Sequence, residues 1–337
     1  MDAEVAIVGA GPLGIELAVG LQRAGISFVQ FDACQIGYTI SWFPPQTRFF
    51  SSNDRIAIAG VPLQTPDQGK ATREQYLTYL RTVVQQFRLK INTYEPVVAI
   101  ERDGSEGFTL TTRPAGAERD HRVKRIVLAT GGTARPRTLG VPGENLPHVH
   151  PQWRDPHDYF GTRVLVVGGK NSAVETALRF HQAGARVSLS YRSAELPGKS
   201  IKYWLLPEIT GLMKSGTIKA YANTCVTAIT PTHVRLSNGE DVEADFVVPQ
   251  IGYVADMSLC RMAGVDLQGA RETPVYDART METNVPGVYL CGTVVGGTQD
   301  KYEIFIENGH VHVERIVAHL TGRRETVADV VYANPES

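Results

Sequence analysis

No two cysteines stand within CxxC spacing anywhere in the 337-residue chain, whose four cysteines are Cys34, Cys225, Cys260 and Cys291. That excludes a dithiol redox motif, and so few cysteines in so long a chain exclude a disulfide-built fold; a reducing cytoplasm is the expected compartment. Charge of one sign is equally scarce, since 34 Lys and Arg meet 35 Asp and Glu for a formal net charge of -1. Nothing in that balance favours nucleic acid or an anionic membrane, and a small partner is expected instead. Long apolar runs are missing too. The most hydrophobic stretch, residues 5–21, follows Asp2 and Glu4 rather than a basic segment, and glycines and Glu16 interrupt it, which excludes a signal peptide or a membrane span.

What remains is a chain of 42% apolar and 20% charged residues, the composition of a globular protein. Its length suggests two domains at roughly 150 residues each. One arrangement occurs twice: an apolar strand, a glycine turn and an amphipathic helix. The first copy reads as a strand at 4–8, a turn at 9–14, a helix at 15–24 stopped by Gly25, and a strand at 28–31. The second reads as a strand at 163–167, a turn at 168–173, a helix to 183 stopped by Gly184, and a strand at 186–191. Between them lie a Pro-rich aromatic stretch at 42–66, a helix at 72–87 and a β-meander at 97–102, 108–113 and 125–128. Strands follow over 218–248, with a hairpin turn at Ser237-Asn238-Gly239, then a buried strand at 288–291 and a long helix at 303–320. The first unit completes its strand set only with the strand at 288. The expected fold is therefore α/β, with two Rossmann-like dinucleotide-binding domains of three-layer ββα character: a discontinuous one of residues 1–135 and 253–337, and an inserted one of residues 136–252.

Gly9, Gly11 and Gly14 form a GxGxxG turn directly after a strand and at the start of a helix, with Pro12 and Leu13 inside it. Such glycines allow a tight turn and let the backbone approach a pyrophosphate at the positive helix end. Asp32 ends the next strand about 20 residues on, where a carboxylate accepts ribose hydroxyls. The second turn, Gly168-Gly169-Lys170-Asn171-Ser172-Ala173, has Lys170 in place of the middle glycine. Its next strand ends in Tyr191-Arg192 without a carboxylate, and Lys199 and Lys202 follow, a basic group suited to the 2′-phosphate of NADPH. An acidic site and a basic site in one chain are what a flavoprotein reduced by NADPH requires: FAD in the first domain, NADPH in the second. Thr130 and Gly131 end the strand leaving the first domain, and Gly292 and Thr293 end the strand that returns. Ser51 and Ser52 are candidates for the polar edge of the flavin, whereas Trp42, Phe43, Phe49 and Phe50 read as core. Thr298 or Asp300 is expected to cap the last helix, with Tyr302, Glu303, Ile304 and Phe305 along the pyrimidine edge of the flavin. His148, His150 and His157 lack the further ligands of a metal site and read as a polar linker.

In this order and spacing the chain resembles the two-dinucleotide-binding-domain flavoproteins of low-molecular-weight thioredoxin reductase architecture. With Phe49-Phe50-Ser51-Ser52-Asn53-Asp54, the second glycine turn and Phe305-Ile306-Glu307-Asn308-Gly309, it is similar to the YpdA family of bacillithiol disulfide reductases over residues 5–320. The resemblance implies FAD, NADPH and reduction of a low-molecular-weight thiol disulfide, and a homo-oligomer is the expected assembly. Three positions depart from the pattern. His148-Val149-His150-Pro151 stands where thioredoxin reductases carry their CxxC. Leu13 stands where family members commonly hold a cysteine, and Gly292-Thr293 replaces Gly-Asp. The resemblance favours a small disulfide as acceptor, while the missing cysteine favours a quinone, a ferredoxin-like protein or oxygen. A flavin monooxygenase and a non-enzymatic redox sensor are the remaining alternatives. Cys34 and Cys291 lie nearest the expected flavin site, and neither has an activating base beside it in the sequence.

Overall fold

The computed structural model describes residues 1–104, 107–300 and 303–323. The chain forms two compact units, Met1–Arg135 with the described part of Val254–Ser337, and Pro136–Tyr253.

The first unit is built on a mixed sheet. Strand Ala3–Val8 is buried at nearly every position, the pattern of a parallel strand covered on both faces. It pairs in parallel with Phe28–Phe31 on one side and with Arg119–Leu128 on the other. The strand Arg119–Leu128 serves two partners along its far edge. Its first half pairs antiparallel with Gly107–Thr112, which continues into Val97–Asp103 as the meander. Its last residues pair in parallel with Val288–Leu290, Val288 opposite Ile126 and Leu290 opposite Leu128. The C-terminal part of the chain thus completes the sheet that the first residues begin. Helix Pro12–Arg23 packs against helix His310–Leu320 at Gly20, where an added Cβ would stand 3.1 Å from Val317. Helix Arg73–Gln86 starts with a reciprocal cap, in which Thr72 Oγ1 accepts the Gln75 amide and Gln75 Oε1 accepts the Thr72 amide. Phe49 packs between Phe43 and Tyr76, with ring centroids 5.9 and 4.7 Å away.

The second unit has three layers. Its parallel sheet runs Lys219–Tyr221, Arg186–Ser190, Arg163–Val167 and Phe246–Pro249. Side chains alternate across it: Val164, Val166 and Val248 enter the core under helices Asn171–Gln182 and Leu206–Lys214. Leu165, Val167 and Val247 enter a second core beneath the antiparallel strands Val226–Ile229, His233–Leu236 and Asp241–Glu243. The hairpin falls at 237–240, where the sequence signals it. Among the described residues no helix is long and apolar enough to cross a membrane.

One expected element is shorter than its pattern. The last helix begins at His310, not near 303. Side-chain amides take the backbone groups a helix would use: Gln299 Oε1 accepts the Glu303 and Ile304 amides at 2.8 and 3.0 Å, and Asn308 Oδ1 accepts the Phe305 amide at 2.8 Å. Neither Thr298 nor Asp300 stands at the start of that helix. Thr298 Oγ1 accepts the Ala255 amide and Asp300 faces Arg271 at 3.4 Å. The helix opens at Gly309 without a side-chain cap.

Candidate functional site

Three segments of the first unit converge at the carboxyl ends of adjacent strands, the position at which open α/β sheets bind ligands. They are the turn 9–14, the segment 130–132 and the pair Gly292-Thr293. Gly9 has φ +115 and an added Cβ would overlap the Ala129 carbonyl oxygen, while a Cβ on Gly14 would overlap the Gly9 carbonyl oxygen. Both glycines are demanded by the protein itself. Gly11 is different: it is the N-cap of helix Pro12–Arg23 with φ -73 and ψ -179, and among the described residues an added Cβ would meet nothing within 4 Å. Neither backbone nor packing requires glycine there. Open space over a helix N-terminus fits a phosphate group approaching the backbone, so the residues present fit the pyrophosphate of a dinucleotide.

Asp32 closes the turn from the neighbouring strand. Its Oδ2 accepts the Ala10 amide at 2.7 Å and its Oδ1 accepts the Cys34 amide at 2.8 Å. Burial raises the carboxyl from its ordinary value and the two amides oppose that rise. The Gly132 amide donates to Thr293 Oγ1 at 2.9 Å, which leaves the hydroxyl proton of Thr293 to donate elsewhere. Gly131, at φ +79, puts its notional Cβ 3.6 Å from the same oxygen, and Thr130 joins it to the strand end.

Leu13 is buried between Gly292 and Gly309. An added Cβ on Gly292 would stand 3.1 Å from Leu13 Cδ1, and one on Gly309 would overlap it. The leucine therefore fills the space between the first turn and the opening of the last helix. Two histidines of that helix hold the surrounding segments. His312 Nδ1 accepts the Gly292 amide at 3.1 Å, so the ring is neutral with its proton on Nε2, and burial pushes its pKa down to about 4. Each ring nitrogen of His310 faces an oxygen acceptor, Glu16 Oε2 at 2.7 Å and the Arg55 carbonyl at 2.9 Å. Both its nitrogens donate, which makes it an imidazolium; burial lowers its pKa, and the Glu16 carboxylate outweighs that and raises it overall. Nothing in the sequence pattern marked this pair, because helical spacing alone does not show which groups a histidine will face.

Ser51 is buried, and Ser52 precedes the short helix Asn53–Ile56 with its hydroxyl donating to Asp54. Glu303, Ile304 and Phe305 lie in the non-helical approach to Gly309, and Tyr302 falls outside the described residues. The thiols of Cys34, Cys260 and Cys291 are not activated. Cys34 is raised by desolvation and by Asp32, burial lifts Cys260 to about 12, and Cys291 is buried and raised well above the ordinary thiol, its Sγ 3.8 Å from the Leu13 carbonyl.

In the second unit Gly168 has φ +136 and an added Cβ would overlap the Gln250 carbonyl oxygen, while one on Gly169 would stand 3.0 Å from Tyr191 Cβ. Lys170 is the N-cap of helix Asn171–Gln182 in extended backbone, φ -100, so this position needs no glycine and adds a cation at the helix end. Ser172 lies in the helix's first turn. Arg192 and Lys199 are exposed, and among the described residues no carboxylate forms an ion pair with either. Lys202 differs from its expected place in that basic group. It is buried, and its ammonium donates to Glu175 Oε2 at 2.9 Å. A charge compensated inside the unit is not available to a phosphate at the surface. His150 is buried as well, bonded to the Tyr159 hydroxyl at 2.8 Å.

The sequence matches the family described as pyridine nucleotide-disulphide oxidoreductase over residues 6–292. It is 35% identical over 321 residues to the bacilliredoxin reductase Bdr of Bacillus subtilis (strain 168), covering 94% of this chain and 97% of that protein. The structure of the bacillithiol disulfide reductase Bdr (YpdA) from Bacillus cereus superposes with a TM-score of 0.90 at 35% identity, over 96% of this chain and all of that one (100%). A thioredoxin reductase from T. acidophilum, at 22% identity and a TM-score of 0.73 over 95% of this chain and 98% of that one, shares the fold.

Proposed function

Because the chain belongs to the pyridine nucleotide-disulphide oxidoreductase family, we propose that it is an NADPH-dependent FAD oxidoreductase whose acceptor is a low-molecular-weight thiol disulfide. The observation that carries this reading is the contrast between the two glycine turns. The first is followed by Asp32, which suits the free ribose hydroxyls of FAD, and the second by the exposed Arg192, which suits a 2′-phosphate. The names of the relatives support the disulfide as acceptor.

Bound FAD supplies the two-electron relay between the dinucleotide and the acceptor. The chain's own residues hold it. Gly11 leaves the backbone open to the pyrophosphate, Asp32 takes the ribose, and Thr293, fixed by the Gly132 amide, presents a hydroxyl proton. Pro12 presets the helix start without adding a competing N–H. In the second unit Gly168, Gly169, Lys170, Asn171 and Ser172 form the pyrophosphate cradle, and Arg192 with Lys199 reads the 2′-phosphate.

Leu13 and the raised thiols favour one refinement: the acceptor takes its electrons without a mixed disulfide to this chain. Overall, NADPH, a proton and one disulfide give NADP+ and two thiols. The test is anaerobic reduction with NADPH followed by reoxidation with bacillithiol disulfide, other small disulfides, quinones and ferredoxin. Rapid reoxidation by bacillithiol disulfide is expected, unchanged in Cys34→Ser and Cys291→Ser. Loss of that turnover in either variant with FAD retained overturns the thiol-free route. Reoxidation by ferredoxin or quinone alone overturns the disulfide reading.

A further inference from the structure

The segment 191–205 of the second unit runs over the second glycine turn and is fastened there at three points. Tyr191 and Leu196 fill the space above Gly169, whose notional Cβ would stand 3.0 Å from Tyr191 Cβ and 3.6 Å from Leu196 Cδ2. The Lys202 amide donates to Asn171 Oδ1 at 3.2 Å, on the first residue of the helix. Farther along the helix, the Lys202 ammonium meets Glu175 Oε2, with the two side chains only 4% and 8% exposed, while Arg179 donates to Glu175 Oε1 at 2.9 Å. Burial pushes the Glu175 carboxyl up, and the two cations outweigh it and hold the group below its ordinary value.

A buried ion pair gains little stability over an apolar pair of the same volume, but it is directional and fixes one segment against another. The segment fixed here carries Lys199 three residues before Lys202 and begins beside Arg192, and both of those residues are exposed. We propose that Lys202 is a positioning residue for dinucleotide selection: through Glu175 and Asn171 it holds Arg192 and Lys199 in the arrangement that distinguishes a 2′-phosphorylated adenosine from an unphosphorylated one. This rests on the NADPH reading above. Lys202 acts through the exposed cations and does not itself touch the phosphate.

Binding of 2′,5′-ADP and of 5′-AMP to the full chain, measured by calorimetry, reads the phosphate contribution without turnover. Lys202→Met is expected to weaken 2′,5′-ADP by about tenfold or more, the loss expected for a misplaced charged hydrogen bond, and to change 5′-AMP by less than about twofold. Lys202→Arg restores most of the loss. Since Lys202→Met leaves Glu175 buried with one cation fewer, the double variant Lys202→Met with Glu175→Leu removes both charges and is expected to fold with the same loss of discrimination. Unchanged discrimination in the folded double variant, or equal weakening of both ligands, overturns the proposal. Failure of both variants to fold also counts against it, because it assigns the pair to the fold. A wild-type chain that binds the two ligands equally overturns the NADPH reading itself.

Discussion

His310 and His312 stand two residues apart on one helix with opposite protonation, and the difference lies in what each faces. His310 meets a carboxylate and a carbonyl and gains a proton; His312 meets an amide N–H and must stay neutral. The pH consequences are opposed. The folded pKa of His312 lies at about 4, below its ordinary 6.5, so its contribution is complete above that ordinary value and is lost as pH falls towards 4. A shift of this size corresponds to about 3 kcal/mol. The folded pKa of His310 is raised, so its contribution is complete below the ordinary value and is lost as pH rises through the folded one. Asp245, held near 2 by Arg163, loses its share only as pH falls from 3.8 towards 2. Thermal melts should therefore drop steeply between pH 6.5 and 4. His312→Gln, which can accept the same amide and does not titrate, should flatten that limb; an unchanged limb contradicts the assignment. At this scale the sequence shows residue types and strand ends, which suffices to place Asp32 and Arg192 just beyond the strands Phe28–Phe31 and Arg186–Ser190. It does not show which charges are compensated, and Lys202 beside Glu175 is the example: the partner lies 27 positions away in the chain.

At the scale of elements, the two glycine turns show how one pattern combines different demands. Gly9, Gly14 and Gly168 answer to nearby carbonyl oxygens, Gly169 to Tyr191, and Gly11 to nothing among the described residues. This separates folding from binding by experiment. Gly14→Ala should destabilise the chain by about 1–3 kcal/mol as the helix moves off the Gly9 carbonyl. Gly11→Ala should keep its melting temperature without FAD, within about 1 kcal/mol for a changed N-cap, yet lose at least about tenfold in FAD affinity. Absorbance of the purified protein and apoprotein melts decide the matter: a Gly11→Ala protein that retains FAD at wild-type affinity refutes the cradle. Strands and turns were legible because parallel strands are continuous apolar runs and helix starts follow glycine. The approach to the last helix was not. Residues 303–309 carry a helix-like apolar spacing, but Gln299 and Asn308 offer their side-chain amides to the backbone first, and such local competition depends on rotamers that spacing does not encode.

At the scale of the whole chain, the interruption of the first unit follows from the edge of one strand. Arg119–Leu128 pairs along its far side with the meander for its first half and needs a parallel neighbour for its second, which Val288–Leu290 supplies. A chain that must return to complete its first sheet leaves what lies between as an insertion. The points of departure and return are adjacent, since the Ala134 amide donates to the Val254 carbonyl at 2.9 Å and the Arg137 amide to the Gly252 carbonyl at 3.0 Å. Each unit also has apolar cores drawn from its own residues alone. The inserted segment is about 120 residues, an ordinary size for an independent domain. Two chains are therefore expected to fold separately: residues 136–253 alone, and the remainder closed by about four glycine and serine residues, a loop short enough that its closure costs little. The closed remainder should bind FAD with near-native affinity and show no response to NADPH. The isolated segment should melt cooperatively and bind 2′,5′-ADP. If the closed remainder stays unfolded although residues 136–253 fold, the first sheet depends on contacts its own strands do not supply, and the insertion cannot be an autonomous addition to it.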